Sequence, residues 1–361
     1  MTRALVALAA AGVAALGACG SGDGTGAGNP RTGASMSSDS TPSSAGAPTT
    51  TPSSVSPNAP SQSSTGVTTG SGSFRGIIQF DGTPQTGNPS IRGGMIIVAW
   101  SDIEPAPGSF DWRHIDPVIA QWAAAGKQAA IRVQTFWPNH AGFPSWLPSQ
   151  GARLITDADG NQAPVFWDTH YLAALQTMVT ALAARYDGDP RVLWVQAGVG
   201  LYGETKVDRM HDDPSHDPPQ VRQVWYDAGY TDSVWWSTIQ QVVGMYLGAF
   251  PHTSLAVAVE PGFMAGTAGY TEPLITAWLA DHGVWWQHDG LKSSTHFDDP
   301  SLGRTPHIEE QYLSTAKTGD SLAQELQVAI ALGSRYVLVY GSDVTDPRYQ
   351  GDLATAARQA S

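Results

Sequence analysis

Eight short runs of β-branched, aromatic and aliphatic residues, mostly separated by helical patterns, constrain the fold of this chain more than any other feature. They are residues 74–80, 94–100, 128–136, 191–198, 254–260, 284–288, 305–310 and 335–340. Most are continuously apolar rather than alternating, the pattern of parallel strands covered on both faces. Between them, 115–125, 171–186, 234–250, 273–282, 322–332 and 352–360 carry apolar or small residues at helical spacing. Leu172, Leu175, Met178, Val179 and Leu182 form one such stripe. Repeated strand-then-helix order implies a parallel sheet, and eight strands imply closure into a (β/α)8 TIM barrel. Two stretches depart from the alternation: the first strand is followed by no helical pattern, and 292–304 reads as turns. An open doubly wound sheet is the alternative topology.

The barrel occupies 73–361, and what precedes it has another character. Arg3 is followed by an apolar run over 4–18, the shape of a secretory signal over residues 1–19. The run is short for a bilayer span, which takes about 20 apolar residues. Leu16, Gly17, Ala18 and Cys19 resemble the bacterial lipoprotein box. That resemblance implies cleavage before Cys19, lipid on its thiol and a place on the extracellular face of the cell membrane. Cys19 is the only cysteine, so a disulfide role is excluded within the chain. Residues 20–72 are Ser, Thr, Gly, Pro and Ala with almost no large apolar side chain. Such a composition buries too little surface to offset its ordering entropy, and a disordered tether is expected.

The net charge of −13 disfavours nucleic acid, whose binding rests on cations neutralising phosphates. It also disfavours docking of the folded domain on an anionic membrane, leaving the N-terminal lipid as the only membrane contact. A neutral carbohydrate partner is compatible with it. Oligomeric state is not legible.

The chain has only seven glutamates, and five stand where strand-like runs end: Glu104, Glu204, Glu260, Glu309 and Glu310. In a barrel those ends converge on one face, where active sites lie. Paired carboxylates there point to glycoside hydrolysis, which needs two of them flanking one bond and no cofactor. The plainer reading is that some of them cap helices or hold a loop arginine.

Trp100, Glu104, Pro105, Pro107, Gly108, Phe110, Asp111 and Trp112 resemble the segment after the second strand in many barrel glycosidases. The Pro and Gly residues form a rigid turn, Asp111 or Asp116 is placed to cap the next helix, and Glu104 reads as structural. His307, Ile308, Glu309, Glu310, Gln311 and Tyr312 are similar to the seventh-strand end of glycoside hydrolase family 42 β-galactosidases and their relatives. There the strand ends in Glu-Gln and the glutamate is the nucleophile. The resemblance therefore implies Glu310 as nucleophile, with Glu309 as the alternative because successive strand residues face opposite sides. The fourth strand departs from the pattern. Gly198 and Val199 stand where Asn-Glu is usual, and the next glutamate is Glu204. Glu204 reads either as the displaced acid/base or as a loop residue, and Glu260 is a further catalytic candidate.

Arg132 ends the third strand, where a cation would keep a nucleophilic carboxylate ionised. It could also pair with Glu104 or Asp102. His288, Asp289 and Asp343 follow the sixth and eighth strands and are candidates for sugar hydroxyls. Trp137, Trp146, Trp167, Trp285 and Trp286 are placed near the expected mouth, where indole faces stack on sugar rings, although each taken singly reads better as core packing. His211, Asp212, Asp213, His216 and Asp217 match no standard zinc spacing, and 157–161 reads as a hairpin turn rather than a calcium loop, so no metal is expected. Three functions compete: a lipid-anchored retaining glycoside hydrolase, a non-catalytic carbohydrate-binding barrel, and a transporter's solute-binding lipoprotein.

Overall fold

The computed structural model describes residues 74–137, 142–208, 219–296 and 299–361. The signal segment, Cys19, the 20–72 stretch and the histidine-containing 211–217 loop lie outside them. In chain order the strands are β1 (Gly76–Gln79), β2 (Ile91–Ala99), β3 (Gln128–Gln134), β4 (Leu154–Thr156) and β5 (Gln162–Pro164). They continue with β6 (Val192–Gln196), β7 (Leu255–Ala258), β8 (Trp285–Leu291), β9 (His307–Gln311) and β10 (Tyr336–Val339). Eight of them close a parallel barrel in the order β1-β10-β9-β8-β7-β6-β3-β2. Each run read from the sequence coincides with one barrel strand, and closure decides against the open sheet. β4 and β5 pair antiparallel around the Asp157 turn, the hairpin expected there.

The helices are α1 (Trp100–Ile103), α2 (Asp116–Ala124), α3 (Thr169–Tyr186), α4 (Pro219–Asp227), α5 (Asp232–Ala249) and α6 (Glu272–Asp281). They are followed by α7 (Thr315–Thr318), α8 (Leu322–Ala331), α9 (Gly341–Thr345) and α10 (Gln350–Ala357). Side chains close several starts: Asp168 accepts from the His170 and Tyr171 N–H groups of α3, and Thr231 from Val234 of α5. α2 corrects the sequence reading. Its N-cap is Ile115, with no side-chain cap. Asp111 pairs with Arg113 instead, and Asp116 accepts from Arg185 and Tyr186.

The barrel is filled by one inward residue from nearly every strand: Ile78, Met95, Ala130, Trp194, Ala256, Ile308 and Leu338, all buried. A larger apolar layer separates the strands from the helices, with the Tyr171, Leu172, Leu175, Met178, Val179 and Leu182 face of α3 inside it. Among the described residues no helix is long and apolar enough to cross a membrane. The Ser361 N–H donates to the Phe74 carbonyl at 2.9 Å, and Arg75 donates to the Ser361 carbonyl at 3.0 Å.

Candidate active site

Strand alternation sorts the two adjacent glutamates of β9. Ile308 belongs to the barrel filling, so Glu310, two residues on, also points inward, and Glu309 points out. Inside, Glu310 Oε2 accepts from Arg132 Nη2 at 3.1 Å and from Gln287 Nε2 at 2.7 Å. Outside, the fully buried Glu309 Oε2 lies 2.8 Å from His288 Nδ1. β8 is irregular between His288 and Leu291, and Asp289 projects inward there, accepting from Gln287 Nε2 at 2.5 Å. Arg132 also reaches Asp289 at 3.5 Å and donates to Gln196 at 2.8 Å. Its partners are thus Glu310 and Asp289, not Glu104 or Asp102. Glu104 accepts from the Trp100 indole at 2.6 Å and the Gly108 N–H at 2.8 Å, a structural role.

The end of β6 explains why a glycine stands in the asparagine position. A Cβ built on Gly198 would stand 2.3 Å from the Val133 carbonyl oxygen of β3, so a side chain has no room there. The chain instead makes a compact excursion. Tyr202 and Gly203 adopt φ of 57° and 82°. The Gly200 N–H donates to the Glu204 carbonyl, and Leu201 to that of Lys206. The excursion closes by returning to the wall: Glu204 bridges Ala258 of β7 in parallel register. Glu204 therefore arrives at the mouth. One carboxylate oxygen each from Glu204, Glu260 and Asp289 lie within 4.8 Å of one another.

Four carboxylates, Glu204, Glu260, Asp289 and Glu310, thus share the mouth with two cations. Arg132 lies between Glu310 and Asp289. Lys206 Nζ stands 2.6 Å from Glu204 and 3.7 Å from Glu260. A carboxylate trio this tight suits a cation, and the Lys206 ammonium takes that role. Burial pushes the Glu260 carboxyl up to about 8, against the pull of Lys206. Burial also raises Glu204. For Glu310, burial and then Asp289 outweigh Arg132, so its carboxyl is held well above the usual range. Arg132 acts in the direction expected from the sequence but does not set the net direction.

The remaining candidates scatter. Asp343 is buried outside the mouth, accepting from Gln311 Nε2 at 3.0 Å and from the Thr315 N–H at 2.8 Å, and so fixes α9 and α7 to β9. Trp137 is half-buried on the chain leaving β3, next to the Phe136–Leu201 bridge. Trp146 donates to the Glu104 carbonyl and Trp167 to that of Ala228, both packing roles. Trp285 and Trp286 correct the placement near the mouth but bear out the core-packing reading: β8 begins at Trp285, so both stand at the strand's entry end. There Trp285 packs on Trp194 and Tyr336, and Trp286 stacks on His307. Lys206, Gln196 and Gln287 were missed. Gln287 could have been found from alternation with Asp289, whereas Lys206 had no signal beyond standing two residues after Glu204.

A closed parallel barrel with buried carboxylates at the ends of its fourth and seventh strands resembles the barrel glycoside hydrolases. The family 42 glycoside hydrolase profile, described as beta-galactosidase, matches residues 93–212, from β2 to just past Glu204. A Thermus thermophilus beta-galactosidase is 30% identical over 98 residues, 25% of this chain and 14% of that protein. This chain therefore matches only a small part of that relative's length. Among solved structures, the catalytic domain of a Paenibacillus polymyxa beta-amylase superposes with a TM-score of 0.57 at 11% identity, over 80% of this chain and 98% of that one. A beta-galactosidase from the psychrophilic Marinomonas ef1 gives 0.52 at 12% identity, over 79% and 59%. At such identities these two superpositions establish the fold.

Proposed function

We propose that this protein is a retaining glycoside hydrolase acting on a carbohydrate, with Glu310 as nucleophile and Glu204 as acid/base, backed by Glu260. The observation that carries the reading is the convergence of Glu204 and Glu310 on one mouth despite the missing Asn-Glu. In the first step Glu310 Oε2 bonds to the anomeric carbon as the bond to the leaving oxygen breaks. That oxygen takes the proton held by the Glu204–Glu260 pair. Water then attacks the same carbon, releases Glu310 and returns a proton to the pair. Arg132 and Gln287 both donate to Glu310 Oε2 and favour the ionised carboxylate against its burial. The test is Glu310→Gln beside Glu309→Gln, assayed on the chromogenic glycoside selected from a screen. Glu310→Gln should lower kcat on the order of 10⁴-fold or more. Near-normal turnover in Glu310→Gln would sink the assignment.

The Lys206 contact with Glu204 favours a second reading, a carbohydrate-binding barrel without turnover. On that reading Glu310→Gln weakens binding and no glycoside in the screen is cleaved. The solute-binding reading needs two hinged lobes, and a barrel closed by β1–β10 pairing supplies no support for it.

The sequence around Cys19 supports a lipid anchor on the extracellular face of a bacterial membrane, with 20–72 as a tether. Cys19→Ser should move the protein out of the membrane fraction or block its processing; unchanged fractionation would reject the anchor.

A further inference from the structure

We propose that Thr205 is a positioning residue that holds Glu204, Lys206 and Glu260 together as one proton-sharing unit, an inference that rests on the hydrolase reading above. The residue stands between two members of that unit in sequence, and its side chain is turned away from them. Its hydroxyl accepts from the Glu260 N–H at 2.9 Å and donates to the Glu260 carbonyl at 3.0 Å. Both backbone groups of Glu260 are thereby fastened to one side chain. Thr205's own backbone is equally committed. Its N–H donates to the Ala258 carbonyl at 3.0 Å, and its carbonyl accepts from the Trp235 indole at 2.8 Å.

The fit around this clasp is close. Thr205 and Trp235 are fully buried. A Cβ on Gly262 would lie 2.1 Å from the Thr205 carbonyl oxygen, so a glycine is needed two residues after Glu260 for the segments to approach. β7 ends at Ala258, and Glu260 lies beyond the regular ladder. The hydroxyl thus supplies, where the ladder has stopped, the hydrogen bonding that a neighbouring strand would give. Without it, the last strand pairing between the two segments is at Ala258, two residues short of Glu260.

The consequence is chemical. Two carboxylates that share one ammonium titrate as a pair, and their proton affinities depend on their separation. The groups facing Glu260 are Glu204 and Lys206 on the excursion and Asp289 and His288 on β8. Only the first two are carried by the segment that Thr205 clasps. A fixed spacing keeps one proton in the pair at neutral pH, available to a leaving oxygen.

The experiment compares Thr205→Val, which removes the hydroxyl at nearly constant shape, with Thr205→Ser, which keeps it. The seven glutamates of the chain make side-chain 13C titration of Glu-labelled protein tractable. In Thr205→Val the Glu260 resonance should titrate at least one pH unit lower than in the wild type, and Thr205→Ser should restore it. With a cleaved glycoside, Thr205→Val should also lower kcat about tenfold or more, with a smaller change in KM and a displaced alkaline limb. Wild-type Glu204 and Glu260 titrations in a folded Thr205→Val protein would overturn the proposal, even if that protein melts earlier. Because the titration needs no turnover, a protein that cleaves nothing rejects the hydrolase reading while the clasp is still judged.

Discussion

Replacing Gly198 by alanine would set a methyl carbon 2.3 Å from the Val133 carbonyl oxygen, where ordinary contacts begin above 3 Å. Neither atom belongs to a flexible side chain. Val133 lies in β3, which pairs with β2 along its whole length, and Gly198 follows β6, bonded to β7 through the Ala197 N–H. Relief therefore requires the two strand ends to part by roughly 1 Å. Overpacking of this kind costs about 1–3 kcal/mol, and a weakened wall hydrogen bond adds about 1 kcal/mol. At about 2–4 °C per kcal/mol for a domain approaching this size, Tm should fall by roughly 4–16 °C. Gly244 is the internal control. It lies within α5 with nothing inside 4 Å of a built Cβ. Gly244→Ala should gain about 0.5–1 kcal/mol from helix propensity and raise Tm slightly. Calorimetric melts of the two variants decide the matter. A Gly198→Ala protein melting at or above the wild type would refute the steric account of why the strand end lacks its asparagine. At the neighbouring glutamate position Val199 is fully buried in the apolar layer, so Val199→Glu should not restore activity to Glu204→Gln.

Further outcomes follow from the buried charges. Glu325 on α8 is fully buried and accepts from Gln311 Nε2, and burial pushes its carboxyl up to about 7. The folded state then holds this proton more tightly than the unfolded chain. Its stabilisation is complete below about pH 4.5 and is lost as pH rises through about 7, up to about 3 kcal/mol in all. Glu325→Gln should flatten the decline in Tm between pH 5 and 8; parallel curves for the two proteins would reject the assignment. If the Glu204–Glu260 pair supplies the proton, the alkaline limb of kcat should fall near pH 8, and Glu260→Gln should move it. Arg132→Lys keeps the charge but cannot reach Gln196, Glu310 and Asp289 together, so activity should drop sharply while stability falls by about 1–3 kcal/mol, read from kcat and urea midpoints.

The strands were legible because barrel strands buried on both faces are written as apolar runs, and the helices because their inward stripes keep a regular period. α4 was not: it carries Pro219, Gln220, Arg222 and Gln223 around a single buried residue, Trp225, and reads as loop. The register that separates Glu310 from Glu309 is a period-two property of β9, so the sequence narrows the choice to two and the barrel filling makes it. Glu204 was harder. Its place depends on backbone hydrogen bonds within the excursion and on a bridge to a strand more than fifty residues later, neither of which leaves a mark in residue type. Trp285 and Trp286 misled because adjacency to His288 and Asp289 in sequence concealed that a strand has two ends. Arg132 does reach Glu310, but its effect on that carboxyl depends on how much water is excluded there.

The bond between the Ser361 N–H and the Phe74 carbonyl has a topological meaning. The first and last described residues lie side by side, so the barrel is close to an unbroken ring with a movable seam. A short linker could join 361 to 74, and the chain could be reopened in the exposed turn around Gly283, between α6 and β8. The eight strands would keep their neighbours, yet β8 and β9, with Gln287, Asp289 and Glu310, would then be made before Arg132 and Glu204. Such a permutant separates the order in which the site is synthesised from the geometry in which it is held.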